Sequence, residues 1–232
     1  MLIATILFII SVAPGLSANP AEILTMPFHD SPARGITIGV SNGKNIIITG
    51  HDDGTLRAYD FDKKLLWKHK VHNKEILSIR NAGQYILSTS LDGTAAAFHL
   101  DNRVPIRFQG HGSWVFDADF ISHVFTGRYV VTAGRDKHLR IFKLNDSSIE
   151  AVFSRPVHSS DINCIRAYTP DHSYYYASNT EKGFVKIITG SDDKTVKIWH
   201  WEDGKSPVIS QTITGFKGVV YSVDMIQDKF FV

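Results

Sequence analysis

The chain has 232 residues, 43% of them hydrophobic and 21% charged, with a formal net charge of +2. That much apolar side chain can bury a sizeable core, which excludes a disordered chain, and so small a net charge calls for neither nucleic acid nor an acidic partner. A single cysteine, Cys164, excludes an intramolecular disulfide; Ile162 and Ile165 beside it place it in a buried strand, where an apolar surround raises a thiol's pKa and leaves it inert.

In chain order the first element is an apolar run over 2–12, interrupted by Ala4, Thr5 and Ser11 and followed by Pro14-Gly15-Leu16-Ser17-Ala18. Small residues after such a run are the pattern of a secretory signal peptide over 1–18, too short for a membrane span of about 20 residues. The chain is expected to be secreted if 1–18 acts as a signal and cytoplasmic otherwise. Residues 19–32, Pro-containing and unpatterned, read as a linker.

From residue 33 the pattern is short strands separated by polar turns. Strands are expected over 36–40, 46–49, 55–59 and 64–70, with turns at Asn42-Gly43 and Asp53-Gly54. The next set is 76–79, 85–88, 94–100 and 105–108, and the third is 114–120, 129–133, 138–142 and 149–153, with a longer first connection over 121–127. A fourth set starts with 162–168, makes an excursion over 169–183 that holds Tyr174, Tyr175 and Tyr176, and resumes in the hairpin 187–201. From Phe216 a fifth set offers only 219–225 and 229–232. Asn145-Asp146-Ser147 is a glycosylation sequon, a triplet frequent by chance.

One set of offsets recurs in four hairpins: a hydroxyl residue four positions before a turn aspartate, and an aromatic six after it. The sets are Thr49, Asp53, Tyr59; Ser88, Asp92, Phe98; Thr132, Asp136, Phe142; and Thr189, Asp193, Trp199. The aspartates stand 39, 44 and 57 residues apart, the first two intervals near a repeat period of about 40 to 45. His72, His111 and His158 each lie four residues before a strand's first apolar residue, Ile76, Val115 and Ile162, and Gly110 precedes His111.

These motifs resemble the WD-repeat β-propeller family over roughly residues 33–232. The resemblance implies an all-β fold of four-stranded antiparallel sheets, with blades at about 33–71, 72–110, 111–157 and 158–215 and a partial fifth at 216–232. Because seven blades are commonest in the family, it also implies a truncated seven-bladed propeller. In the family the turn Asp, the His, the hydroxyl and the Trp form a structural hydrogen-bond chain. Here His158, Thr189, Asp193 and Trp199 supply all four members. His72, Ser88 and Asp92, and His111, Thr132 and Asp136, end at the hydroxyl because Phe98 and Phe142 cannot donate. Blade one has no histidine at the expected place.

The His, Ser and Asp types could be taken for a nucleophilic triad, but repetition in successive blades marks scaffolding. The eleven histidines show no metal-ligand spacing, no glycine-rich loop opens a helix, and no cofactor is expected. By resemblance to the heterotrimeric G-protein β subunit, partner contacts map to Asp52 in blade one and to Glu75, Leu77 and Leu91 in blade two. They map to Trp114, Phe116 and Arg135 in blade three, Asp161, Asn163 and Asp192 in blade four, and Val219 and Tyr221 in the fifth. The function this implies is a non-enzymatic protein-protein interaction scaffold or adaptor. The alternative comes from residues 54–71, which resemble a repeat of quinoprotein propellers, some of them exported dehydrogenases using pyrroloquinoline quinone.

Overall fold

The computed structural model describes residues 30–101, 103–123, 127–144, 149–168, 185–226 and 229–232. The signal-like run 1–18, the linker as far as residue 29, the sequon at 145–147 and the excursion 169–183 with its tyrosines lie outside these residues. Short alternating segments broken by turn residues build strands throughout, and none of the described residues is helical.

The first sheet comprises β1 (Ala33–Ser41), β2 (Lys44–His51), β3 (Thr55–Tyr59) and β4 (Leu65–Lys70). Its β1–β2 turn is Asn42-Gly43, with φ of 49° and 72°, the doubly left-handed backbone that a two-residue hairpin requires. The second comprises β5 (Ile76–Ala82), β6 (Tyr85–Ser90), β7 (Ala95–His99) and β8 (Pro105–Phe108). The third comprises β9 (Val115–His123), β10 (Gly127–Gly134), β11 (His138–Leu144) and β12 (Ile149–Pro156). The fourth comprises β13 (Ile162–Tyr168), β14 (Val185–Ser191), β15 (Val196–Trp201) and β16 (Val208–Ile213), and β17 (Asp224–Ile226) pairs with β18 (Lys229–Phe231). Each strand pairs antiparallel with the next one in its sheet.

Alternation along each strand gives every sheet two apolar faces, and cores form between successive sheets rather than within one. Ile46, Ile48 and Leu56 of the first sheet meet Ile76, Ile86 and Phe98 of the second. The opposite face of that second sheet, with Leu87, Ala95 and Ala97, meets Val115, Val130 and Phe142 of the third. Tyr129, Val131 and Leu139 then meet Ile165, Ile187 and Trp199, and Ile188, Val196 and Cys164 meet Val220 and Val223. Stacked four-stranded blades of this kind, joined through their faces, are the β-propeller architecture.

Two expectations change. The long connection at 121–127 shrinks, because Ile121 is buried in the core between the third and fourth sheets and draws β9 on to His123, opposite Gly127. The fifth blade's first strand covers only Asp224–Ile226; the residues before it run irregularly so that Val220 and Val223 can seat against blade four.

Candidate interaction rim

Each inner strand carries one extra residue near its start. Ala33 and Gly35 oppose His51 and Gly50, leaving Arg34 over; in the same way Leu77, Phe116 and Asn163 are left over in β5, β9 and β13. A bulge re-aims a side chain out of the sheet's alternation. Beside each bulge the turn after the second strand is tied to the loop entering the first. The amides of Asp52, Leu91, Arg135 and Asp192 donate to the carbonyls of Pro32, Glu75, Trp114 and Asp161 at 2.9 to 3.1 Å. In blade three this approach requires glycine, because a Cβ on Gly134 would stand 2.1 Å from the Trp114 carbonyl oxygen.

The sequence-derived contact positions of the four complete blades therefore gather at one end of the sheets. Trp114 is 37% exposed, with the Arg135 guanidinium 4.4 Å above its ring and the Phe116 ring edge-on at 6.1 Å. Arg135 Nε also lies 3.9 Å from Asp161, and Asn163 Nδ2 donates to Asp192 at 2.6 Å and to the Val220 carbonyl at 3.0 Å. Glu75, Leu77, Leu91 and Val219 are half-buried, Asp52 pairs with Arg34, and Tyr221 is 77% exposed.

Beneath the rim stand the polar chains. In blade four His158 Nδ1 lies 2.9 Å from Asp193 and Nε2 lies 2.8 Å from the Thr189 hydroxyl, which accepts from Trp199 Nε1 at 3.1 Å. In blade three His111 bridges Asp136 and Thr132 at 2.9 and 2.8 Å. This blade has a member that sequence reasoning missed: Arg140 Nη1 stands 2.7 Å from both Asp136 and His111 Nδ1. In blade two His72 reaches Ser88 at 2.8 Å, and the Thr94 hydroxyl bridges its other nitrogen to Asp92. The Ser88 hydroxyl donates to the Ala96 carbonyl at 3.4 Å, as the Thr189 hydroxyl does to that of Lys197, and Phe98 supplies no donor in place of the indole.

Counted from the bulge, five residues before the left-over Arg34, the histidine position of blade one falls on His29, which lies outside the described residues, so the expectation that this blade has no histidine there changes. His51, from the end of β2, donates to the Ser31 carbonyl at 2.8 Å and meets Thr49 at 2.7 Å, while Arg57 bridges Asp53 and Asp30. The ring's partner is a backbone carbonyl, which no side-chain pattern discloses.

Burial alone would raise the carboxyls of Asp53, Asp92, Asp136 and Asp193, but hydrogen bonds from hydroxyls, amides and their His or Arg partners outweigh it and hold all four well below the usual range. Burial pushes His51, His111 and His158 down, against the raising influence of the hydrogen-bond acceptors beside them. The rings are thus held neutral and the carboxylates charged. Ser88, Thr132 and Thr189 are fully buried, so no substrate reaches these hydroxyls as nucleophiles. Burial pushes the Cys164 thiol up to about 12, an unreactive state. Among the described residues no cluster of His, Cys, Asp or Glu could hold a metal, and no helix is long and apolar enough to cross a membrane.

Sheets stacked face to face, each with a buried His–hydroxyl–Asp chain under a bulged inner strand, define a repeat-built β-propeller. The family described as WD domain, G-beta repeat matches residues 103–143 and 150–200. This match and the repeated motif support a WD-repeat family for the chain. It is 24% identical over 76% of its length to the nuclear distribution protein nudF of Aspergillus niger, and 27% identical over 68% to the ribosome biogenesis protein WDR12 homolog of Trichoplax adhaerens. It is 30% identical over 49% of its length to the nucleoporin SEH1 of Saccharomyces cerevisiae. The chain spans 42%, 35% and 31% of those relatives' own lengths.

Proposed function

We propose that the chain is a non-enzymatic scaffold or adaptor that binds other proteins through this rim. The observation that carries the reading is the Trp114, Phe116 and Arg135 group: an exposed indole stacked by a guanidinium, in the residue types that most often anchor interfaces. Its pre-packed geometry lowers the ordering cost of binding. The names of the relatives point to nuclear distribution, ribosome biogenesis and a nucleoporin, which differ, so the partner is not carried over from any of them. The quinoprotein resemblance of residues 54–71 has a structural account: Trp67 is buried and packs on Phe98 of the next blade.

Affinity capture from the source cells, with mass spectrometry, identifies the partner. Trp114→Ala with Arg135→Ala should abolish that capture, since losing a central anchor costs upwards of about 2 kcal/mol, roughly thirtyfold in affinity. Replacing 169–183 by a short Gly-Ser turn should leave folding and capture intact. Binding lost on loop replacement and kept in the double variant rejects the rim.

A further inference from the structure

The outer strands β4, β8, β12 and β16 end their sheets, and among the described residues no strand pairs with their free sides. A free edge is a template for another strand unless charges or proline blunt it. Three of these edges are blunted. β4 carries Lys68 and Lys70, β8 opens with Pro105 and carries Arg107, and β12 carries Glu150 and Arg155 and closes on Pro156. β16, Val208–Ile213, has neither a charge nor a proline, and its Val208 and Ile209 are 66% and 45% exposed. Its one irregularity is the extra residue Ser210, whose hydroxyl donates to the Ile198 carbonyl at 3.2 Å. β4 and β12 carry the same kind of bulge, so it does not set β16 apart.

What sets β16 apart is that, with the bulge counted, it reads alike from both ends. Val208, Gln211 and Ile213 lie opposite His200, Ile198 and Val196 and share one face, while Ile209 and Thr212 lie opposite Trp199 and Lys197 and share the other. Antiparallel pairing about a two-fold axis normal to the sheet sets residues of one face against each other. With the axis at Gln211, that residue meets its own copy, Ile209 meets Thr212 and Val208 meets Ile213. Every flanking pair is β-branched and no like charges meet. The same operation on β4 sets Lys68 against its own copy, a repulsive pair.

We infer that β16 pairs with the β16 of a second copy of this chain, joining the fourth sheets of the two copies into one continuous sheet. Antiparallel pairing turns the second copy end over end, so the two rims point in opposite directions and one dimer presents both. That consequence rests on the rim reading above; the pairing itself does not, and it is measured with no other protein present.

Sedimentation velocity of the purified chain at about 1 to about 200 µM should show a reversible monomer–dimer equilibrium that stops at two, because a two-fold pairing closes on itself. A monomer at every concentration, or growth past the dimer, overturns the inference. Gln211→Lys and Gln211→Glu each set like charges across the axis from an exposed position. Each alone should self-associate at least about tenfold more weakly at an unchanged melting temperature, and an equimolar mixture of the two should recover the dimer. Dimers that survive both variants, or a mixture that stays monomeric, overturn the pairing. Oxidation reads the register: Gln211→Cys should form a disulfide with its own copy, since residues opposite each other in such a pair have Cα atoms about 4.5 to 5.5 Å apart. Thr212→Cys, which meets Ile209, should not, and Cys164 is buried and does not compete. Equal crosslinking from 211 and 212 overturns an axis at Gln211.

Discussion

Asp193 accepts from the Thr195 amide and hydroxyl, the Ser159 amide and the ring of His158, all within 3.1 Å. Asp193→Ala should strand a buried histidine and cost on the order of 1 to 3 kcal/mol, read as a lower urea midpoint at unchanged slope. From sequence, Asp92→Ala and Asp136→Ala are expected to be milder, their chains ending at Phe98 and Phe142. The structure keeps that order for Asp92, whose carboxylate lies 3.3 Å from the His72 ring against 2.9 Å between Asp193 and His158, and reverses it for Asp136. Without Asp136 the Arg140 guanidinium, 9% exposed, loses its carboxylate, so Asp136→Ala should destabilise at least as much as Asp193→Ala. A melt showing Asp136→Ala no worse than Asp92→Ala would remove Arg140 from the account. The His, hydroxyl and Asp were legible because one hairpin and its lead-in hold them at fixed offsets. Arg140 and Ser31 were not: one adds a cation to a chain already complete by motif, and the other contributes only a carbonyl.

At the scale of strands, the inner row is stitched by one side chain that no offset predicted. Asp117, on β9, accepts from the Ser78 hydroxyl at 2.8 Å on the blade-two side, and from Arg166 Nη1 at 2.7 Å and the Ile165 amide at 3.2 Å on the blade-four side. Arg80 adds a longer contact at 3.3 Å. Strand alternation makes the hairpins legible from sequence, but contacts between blades depend on how faces stack, and an aspartate inside an apolar strand reads only as an exception. Asp117→Ala removes the shared acceptor of two arginines and a buried amide, so a loss of about 3 to 5 kcal/mol is expected. Asp117→Asn should recover part of it by keeping an acceptor. The sharper measurement is hydrogen exchange: the Ile165 amide should lose protection in Asp117→Ala while the Ile48 amide, in the sheet of blade one, keeps its own. Equal loss at both would mean that Asp117 acts on global stability rather than on the seam between blades three and four.

Across the whole molecule the repeated chains titrate together, so repetition converts small local shifts into a stability profile. His51, His111 and His158 are pushed below their ordinary value of 6.5 by burial. Between the folded and unfolded values the unfolded chain therefore holds more protons on these rings, and stability rises with pH through that window. Their contribution is complete above about 6.5 and is lost as pH falls. The four turn carboxylates have the same sign at lower pH, since their depressed values give stability that is present above the unfolded value near 3.8 and drains away below it. Asp119 opposes them. Burial raises its carboxyl despite the Ala167 amide it accepts at 3.0 Å, so its contribution is present at low pH and is lost as pH rises through its folded value. In an Asp119→Asn background, which removes that opposing contribution, the three rings and the four turn carboxylates share one sign. Urea midpoints in that background should therefore fall in two stages, first between about pH 7 and about pH 5 as the rings take up protons, then below about pH 4 as the carboxylates do. His158→Asn, which keeps polar atoms but cannot gain a proton, should shrink the first stage by one ring's share and leave the rest of it to His51 and His111. If that background keeps one midpoint from about pH 7 to about pH 5, the rings are not held neutral by burial, and their part in the blade chains must be reassigned.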